Sequence, residues 1–259
     1  MKKIMVITPH ADDVTISVGG AVIKWVEEDH EVTVVRVTND DADCIGISTR
    51  EEAVAINKAE AEEAYKVLGV SRTIHMGYVS DTFGGVDFLE LREKFIWLIR
   101  EIKPDRTLCF DLDGREEENM DHRVISYAMA EALWTSSFDL HHPEHFKEGL
   151  EPFCVPERLY YARVSDKANI VIDISDVIDR KFKSIQCQKA VMKNIFAQIR
   201  MRAEALGEDA SVMDKYSIDE MVDKLFRAAA AEAGKKFGLQ YAELLRDPGT
   251  GLLRDFIKV

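Results

Sequence analysis

Four times in the first 135 residues an apolar run without alternation is followed by a stretch with helical spacing, an order that few folds accommodate. The runs are Lys3 to Thr8, Val32 to Val37, Thr73 to Met76 and Arg106 to Phe110. The helix-periodic stretches are Val18 to Glu28, Thr49 to Leu68, Phe88 to Ile102 and Val124 to Trp134. Unbroken apolar strands joined by amphipathic helices bury both strand faces, so the pattern predicts an α/β, Rossmann-like, mostly parallel sheet flanked by helices. In such a sheet the working residues gather outside the carboxyl ends of the strands. Loops carrying His10, Asp13, Asp40, Asp81, Asp111 and His122 are therefore expected on one edge.

Helix punctuation supports these elements. Ser48 or Thr49, followed by Glu51 and Glu52, starts the second helix, and Gly69 stops it. Further on, Leu159 to Arg163 and Asn169 to Ile174 read as two strands, expected as an additional β-hairpin at the sheet edge. Tyr160 and Tyr161 should then divide between core and surface, because successive strand side chains face opposite ways. Ser175-Asp176 opens a helix through Cys187, and Asn194 to Leu245 reads as mostly helical. No linker interrupts the chain, so a single domain over 1–259 is expected, with a core at 1–137 and a lid, hairpin and helical part at 138–259.

At 259 residues, 46% hydrophobic and 31% charged, the chain can bury a sizeable core. Its net charge of −13 repels polyanions, which argues against nucleic-acid partners and for a small-molecule substrate. No apolar run is long enough to span a membrane, and no membrane association is expected. Four widely spaced cysteines, with no CxxC pair and no signal-peptide pattern, lead to the expectation of a reducing cytoplasm. A homo-oligomer is expected, and the irregular stretch 138–156 reads as either a lid or an oligomer contact.

The chemistry concentrates in Pro9-His10-Ala11-Asp12-Asp13, at the exit of the first strand. A catalytic zinc site uses three protein ligands and leaves a position for water, and His10, Asp13 and His122 meet that count. A carboxylate beside the water is then needed as general base, and Asp12 is the natural choice. The bland alternative is that Asp12 and Asp13 cap the following helix and His10 is an ordinary loop histidine. Two adjacent carboxylates repel unless a cation or a proton sits between them, which favours the metal. Gly19-Gly20 is no dinucleotide fingerprint, since no G-x-G-x-x-G follows the first strand.

Pro9 to Asp13, Gly19-Gly20, Val34 to Asp40, Glu60-Ala61 through Leu68-Gly69 and Asp121-His122-Arg123 together resemble the LmbE/PIG-L family of zinc-dependent N-acetylglucosaminyl deacetylases. Later segments, including Ile170 to Asp176, Lys181 to Ile185 and Gly234 to Tyr241, are similar to its diacetylchitobiose deacetylase branch. The resemblance implies a Rossmann-like fold and hydrolysis of an N-acetyl group on an amino sugar or related small amide. It also implies zinc (or another divalent metal) on His10, Asp13 and His122, with Asp12 activating water.

This chain departs from that pattern at three positions. Asn119 stands where the family has the first His of His-Pro-Asp-His, Asn57 where it has an Arg, and Gln188 where it has a later His. Asn119 and Asp121 join Asp12 as candidate catalytic residues, and Asp40, Asp81, Asn57 and Gln188 as candidate substrate-binding residues. Loss of an oxyanion donor or general acid typically costs about 10² to 10⁴ in rate. A family member that keeps the metal but has lost or altered catalysis, acting as a binding or regulatory protein, is therefore the competing reading. His141, His142 and His145 read as a polar surface loop, with the alternative that they fold over the metal and replace the missing His.

Overall fold

The strand–helix passages assemble into one parallel sheet in the computed structural model, which describes residues 1–163 and 166–249. Strands β1 (Lys3–Thr8), β2 (Glu31–Thr38), β3 (Arg72–Tyr78), β4 (Arg106–Phe110) and β5 (Glu157–Tyr161) lie in the order β3-β2-β1-β4-β5. Every pairing in this sheet is parallel. The chain first steps outward from β1 to β2 and β3, then returns to place β4 on β1's other side. This reversal opens a crevice between the carboxyl ends of β1 and β4, where doubly wound folds bind ligands.

Helices α1 (Asp13–Glu27), α2 (Arg50–Leu68), α3 (Phe88–Ile102) and α4 (Met120–Thr135) follow the first four strands. Val14, Val18 and Val22 of α1 and Ala61, Ala64 and Leu68 of α2 pack on one face of the sheet. Leu91, Phe95 and Ile99 of α3 and Ile125, Met129 and Leu133 of α4 cover the other. Thr49 caps α2 by accepting the Glu52 N–H at 3.2 Å, and Gly69 ends that helix at φ 88°, where only glycine is unstrained.

Two helices begin earlier than their spacing predicts: α1 at Asp13 rather than Val18, and α4 at Met120 rather than Val124. The cause is the same in both. Each first turn carries the polar residues of the strand-exit loop, and these erase the apolar periodicity by which a helix start is recognised.

The carboxyl-terminal part comprises β6 (Ile170–Asp173), α5 (Ile178–Cys187), α6 (Lys189–Ala205), α7 (Ile218–Lys235) and β7 (Ala242–Leu245). The additional antiparallel pair is present, but its strands are β6 and β7. β5, expected as one arm of that hairpin, instead joins the main sheet beside β4. The segment expected to be helical to Leu245 accordingly ends in a strand. Tyr160 and Tyr161 are both buried, against the expected division. β5 lies between two layers: Tyr161 packs with α1 and α2, and Tyr160 joins the α3–α4 core beneath Arg246.

A buried ion pair fastens this part to α1. Lys181 Nζ reaches Glu243 and the Ile16 carbonyl, each at 2.6 Å, and Glu243 accepts the Gly20 and Ala21 N–H groups at 2.9 and 2.8 Å. Gly20 is required because a Cβ there would stand 2.5 Å from Ile174 Cγ2. No helix among the described residues is long and apolar enough to cross a membrane.

Candidate metal centre

The loop leaving β1 is held from three sides. Thr38 donates its N–H to the Pro9 carbonyl at 3.0 Å, and Tyr65 donates its hydroxyl to the Ala11 carbonyl at 3.0 Å. Asp40 accepts the Ala11 N–H at 3.0 Å. Asp13, in the first turn of α1, accepts the His10 N–H at 2.9 Å, which fixes its carboxylate beside the imidazole. Opposite, His122 enters from the first turn of α4 with its ring 4.2 Å from that of Phe110.

Three donor atoms converge in the crevice. His10 Nδ1 is 3.0 Å from His122 Nε2, His122 Nε2 is 3.3 Å from Asp13 Oδ2, and His10 Nδ1 is 3.6 Å from the same oxygen. Donors bound tetrahedrally at the usual zinc distances stand about 3.3 Å apart, so the triangle already has the size of a metal shell. All three residues are buried.

A carboxylate holds the far side of each imidazole. His10 Nε2 is 3.2 Å from Asp121 Oδ2. His122 Nδ1 is 3.0 Å from Glu117 Oε2, although the N–H is not well aligned on that oxygen. This is the arrangement that fixes metal-bound histidines: the outer nitrogen carries its proton toward a carboxylate, and the inner one presents a lone pair. In that tautomer the inner nitrogens turn two lone pairs toward each other, which a cation between them makes favourable. The residues present fit a divalent metal.

The charges agree. Burial opposes protonation of His10, but Asp121 and Asp13 outweigh it and hold the ring well above its usual pKa. For His122, burial is likewise overcome by Asp13 and Glu117, and the ring is pushed up to about 9. Burial would raise Asp13, yet His122 and His10 hold its carboxyl well below the usual range. The protein thus surrounds this point with negative charge that favours a cation, either a proton or a metal ion.

Asp12 behaves differently from its neighbour. It occupies the N-cap of α1 but forms no side-chain cap bond, so the capping alternative fails for it. Burial first, and the adjacent Asp13 charge second, push its carboxyl up to about 7. Asn119 caps α4, accepting the Asp121 N–H on Oδ1 at 2.8 Å. Next to His122 and Glu117 lies a cavity of about 280 Å³, also lined by Asp111, Arg123 and Tyr127.

The other candidate residues are held largely by protein contacts. Asp121, expected to be catalytic, stands behind His10 and accepts the Asp81 N–H at 2.8 Å, so it is placed to orient the His10 ring. Asp40, expected to bind substrate, is fully buried; Thr38 and Ala11 engage its two oxygens and Arg36 pairs with it at 2.6 Å. Asn57 is buried too and donates to the Asp40 carbonyl at 2.6 Å, pinning the loop after β2 rather than facing a ligand. Gln188 lies at the α5–α6 junction, where its Oε1 accepts the Thr15 hydroxyl at 2.6 Å and its Nε2 is buried without a partner. Asp81 is exposed at a left-handed φ of 61° and contributes its N–H to Asp121.

The histidine-bearing segment does not replace the missing His. Arg100, in the last turn of α3, donates to the carbonyls of Ser136, Phe138, His141 and His142. The carboxyl ends of α3 and α4 lie at the opposite edge of the sheet from the crevice, so the segment is tied away from the metal centre. Asp111 is taken up by Arg246, which grips both its oxygens at 2.7 and 2.6 Å. Glu117 was not singled out, because a run of three glutamates reads as a solvated face; its one distinguishing mark is its place in the strand-exit loop just before His122.

Residues 5–133 match the family model described as PIG-L, GlcNAc-PI de-N-acetylase. The diacetylchitobiose deacetylase of Thermococcus kodakarensis is 24% identical over 250 residues, covering 95% of this chain and 83% of that protein. The solved structure of N,N'-diacetylchitobiose deacetylase from Pyrococcus horikoshii, in complex with its inhibitor MPG, superposes with a TM-score of 0.79 at 24% identity. It covers 97% of this chain and 88% of that one. GalB, the 4-carboxy-2-hydroxymuconate hydratase of Pseudomonas putida KT2440, shares the fold with a TM-score of 0.70 at 18% identity, covering 96% of each chain. The fold therefore accommodates more than one reaction.

Proposed function

Through residues 5–133 this chain belongs to the PIG-L family, and on that premise we propose that it is a metal-dependent deacetylase acting on an N-acetylated amino sugar or a related small amide. The observation that carries the reading is the triangle of His10 Nδ1, His122 Nε2 and Asp13 Oδ2, with a free carboxylate at Asp12 beside it. A divalent metal held by His10, Asp13 and His122, for which zinc is our assignment, would lower the pKa of water and polarise the acetyl carbonyl.

The protein's own residues supply the remaining steps. Asp12, with a pKa near 7, takes the proton as a water oxygen forms its bond to the acetyl carbon. It then returns that proton to the departing nitrogen as the C–N bond breaks, so acetate and a free amine leave. Asn119 spends its Oδ1 on the helix cap and has its Nδ2 left to donate to the developing oxyanion. Asp121 and Glu117 keep both imidazoles in the tautomer that presents an inner lone pair. The cavity beside His122 and Glu117, which neither His10 nor Asp13 lines, suits a part of the substrate other than the amide.

The test pairs metal analysis of the purified chain with acetate release from a panel that includes N-acetylglucosamine and N,N'-diacetylchitobiose. About one metal equivalent in the crevice together with acetate release supports the reading. Turnover by the metal-free chain refutes it. Metal occupancy without turnover across the panel favours the binding-protein reading, which Asn119, Asn57 and Gln188 motivate.

A further inference from the structure

On the outer side of α3 a second set of donors converges, sharing no residue with the crevice. Glu93 projects from the helix, and His142, Glu144 and His145 come from the short 3-10 turn at Pro143–Glu148 and the residue before it. His142 Nδ1 is 2.9 Å from Glu144 Oε1 and 3.8 Å from Glu93 Oε1, and His145 Nε2 is 3.6 Å from the same Glu93 oxygen. One donor atom from each of the four lies within 4.8 Å of the other three. We propose that Glu93, His142, Glu144 and His145 form a second, peripheral site for a borderline divalent cation such as zinc.

The spacing suits such an ion, since donors in a tetrahedral zinc shell stand about 3.3 Å apart. Two imidazoles and two carboxylates also match zinc better than magnesium or calcium, which take more oxygen ligands. The imidazole rings of His142 and His145 are stacked, 5.4 Å apart and inclined by 20°, so both present an edge to the Glu93 side.

The turn is held ready by Arg100. Four of its contacts go to backbone carbonyls at 2.8 to 3.1 Å, and the fifth and longest goes to His145 Nδ1 at 3.3 Å. Ligation through Nε2 requires the His145 proton on Nδ1, so only that longest contact is given up and the four carbonyl bonds remain. His142 is held at a left-handed φ of 52°, which turns its ring toward Glu144 and Glu93. Bound there, the ion would staple the α4–β5 connection to the middle of α3, a role in stability rather than in turnover.

The full-length chain, stripped with chelator, would be titrated with zinc alone and its stoichiometry read by calorimetry and elemental analysis. Two equivalents are expected for the unaltered chain. E93Q/H142N should bind one and keep its acetate release; Asn tolerates the left-handed backbone of position 142. H122A should also retain one equivalent while losing turnover, which separates this site from the catalytic one. The single variant E93Q, at a half-exposed helix position, should weaken the second binding event at least tenfold without disturbing the turn. One equivalent or fewer in the unaltered chain, or two in E93Q/H142N, overturns the proposal.

Discussion

His10 Nδ1 and His122 Nε2 face each other at 3.0 Å, although 112 positions separate them in the chain. Each is backed by a carboxylate, Asp121 for His10 and Glu117 for His122. Two inner lone pairs at that distance make the strand β1 and strand β4 exits a single electrostatic unit that calls for a cation.

Removing the proposed base should separate metal binding from chemistry. D12N is expected to keep its metal, because Asp12 is not one of the converging donors, while acetate release falls by about 10² to 10⁴. Metal content and turnover measured on the same preparation check this. Turnover within a few-fold of the unaltered chain would remove Asp12 from the mechanism.

The carboxylates behind the histidines should act through affinity. D121N and E117Q each leave the three donors intact but loosen the tautomer of one ring, and metal affinity is expected to fall about 10- to 100-fold. Competition with a chromophoric chelator reads this directly. Unchanged affinity in both variants would make them ordinary buried acids.

Activity should depend on pH through Asp12. Its carboxyl is raised to about 7 by burial and the Asp13 charge, so the ionised fraction that can accept a proton falls as pH drops through that region. A cation at His10, Asp13 and His122 favours the ionised form and moves the acid limb of kcat/KM below 7. A profile flat down to pH 4 contradicts this assignment.

The Lys181–Glu243 pair should matter for stability. Its two side chains are 5% and 3% exposed, so K181A leaves a buried carboxylate without its counter-charge. Such a loss costs about 3 to 5 kcal/mol. Thermal or urea unfolding tests this, and a midpoint shift too small to resolve would show that water reaches Glu243.

Filling the α1–β6 contact should also destabilise the chain. In G20A the new methyl meets Ile174 and must push β6 away from α1, a strain of about 1 to 3 kcal/mol for an overpacked contact. A lowered unfolding midpoint with unchanged metal stoichiometry is expected. An unchanged midpoint would mean that β6 shifts freely.

The chain order of strands and helices was legible because the central strands β1, β2 and β4 are buried on both faces while α2 and α3 bury only one, so apolar spacing marks them. The starts of α1 and α4 were not, since Asp13 and the Asn119–His122 turn interrupt that spacing with site residues. The three converging donors could be read as a set from residue type and strand-exit position. The work of Asp40 and Asn57 could not: both are polar and near the site in sequence, yet they face inward to hold the loops. Glu117 was lost among like charges, because sequence does not show which of three glutamates turns inward.

By itself the sequence determined the class of fold, the edge on which the site lies, and which three donor side chains converge there. Those properties follow from local periodicity and from the exit point of each strand. Only the tertiary structure decided that β7 rather than β5 pairs with β6, and that Asp121 and Glu117 stand behind the histidines. It alone decided too that the His142–His145 turn lies against α3 instead of over the crevice. These are contacts between segments far apart in the chain, selected by which surfaces can be buried together, and no local pattern encodes them.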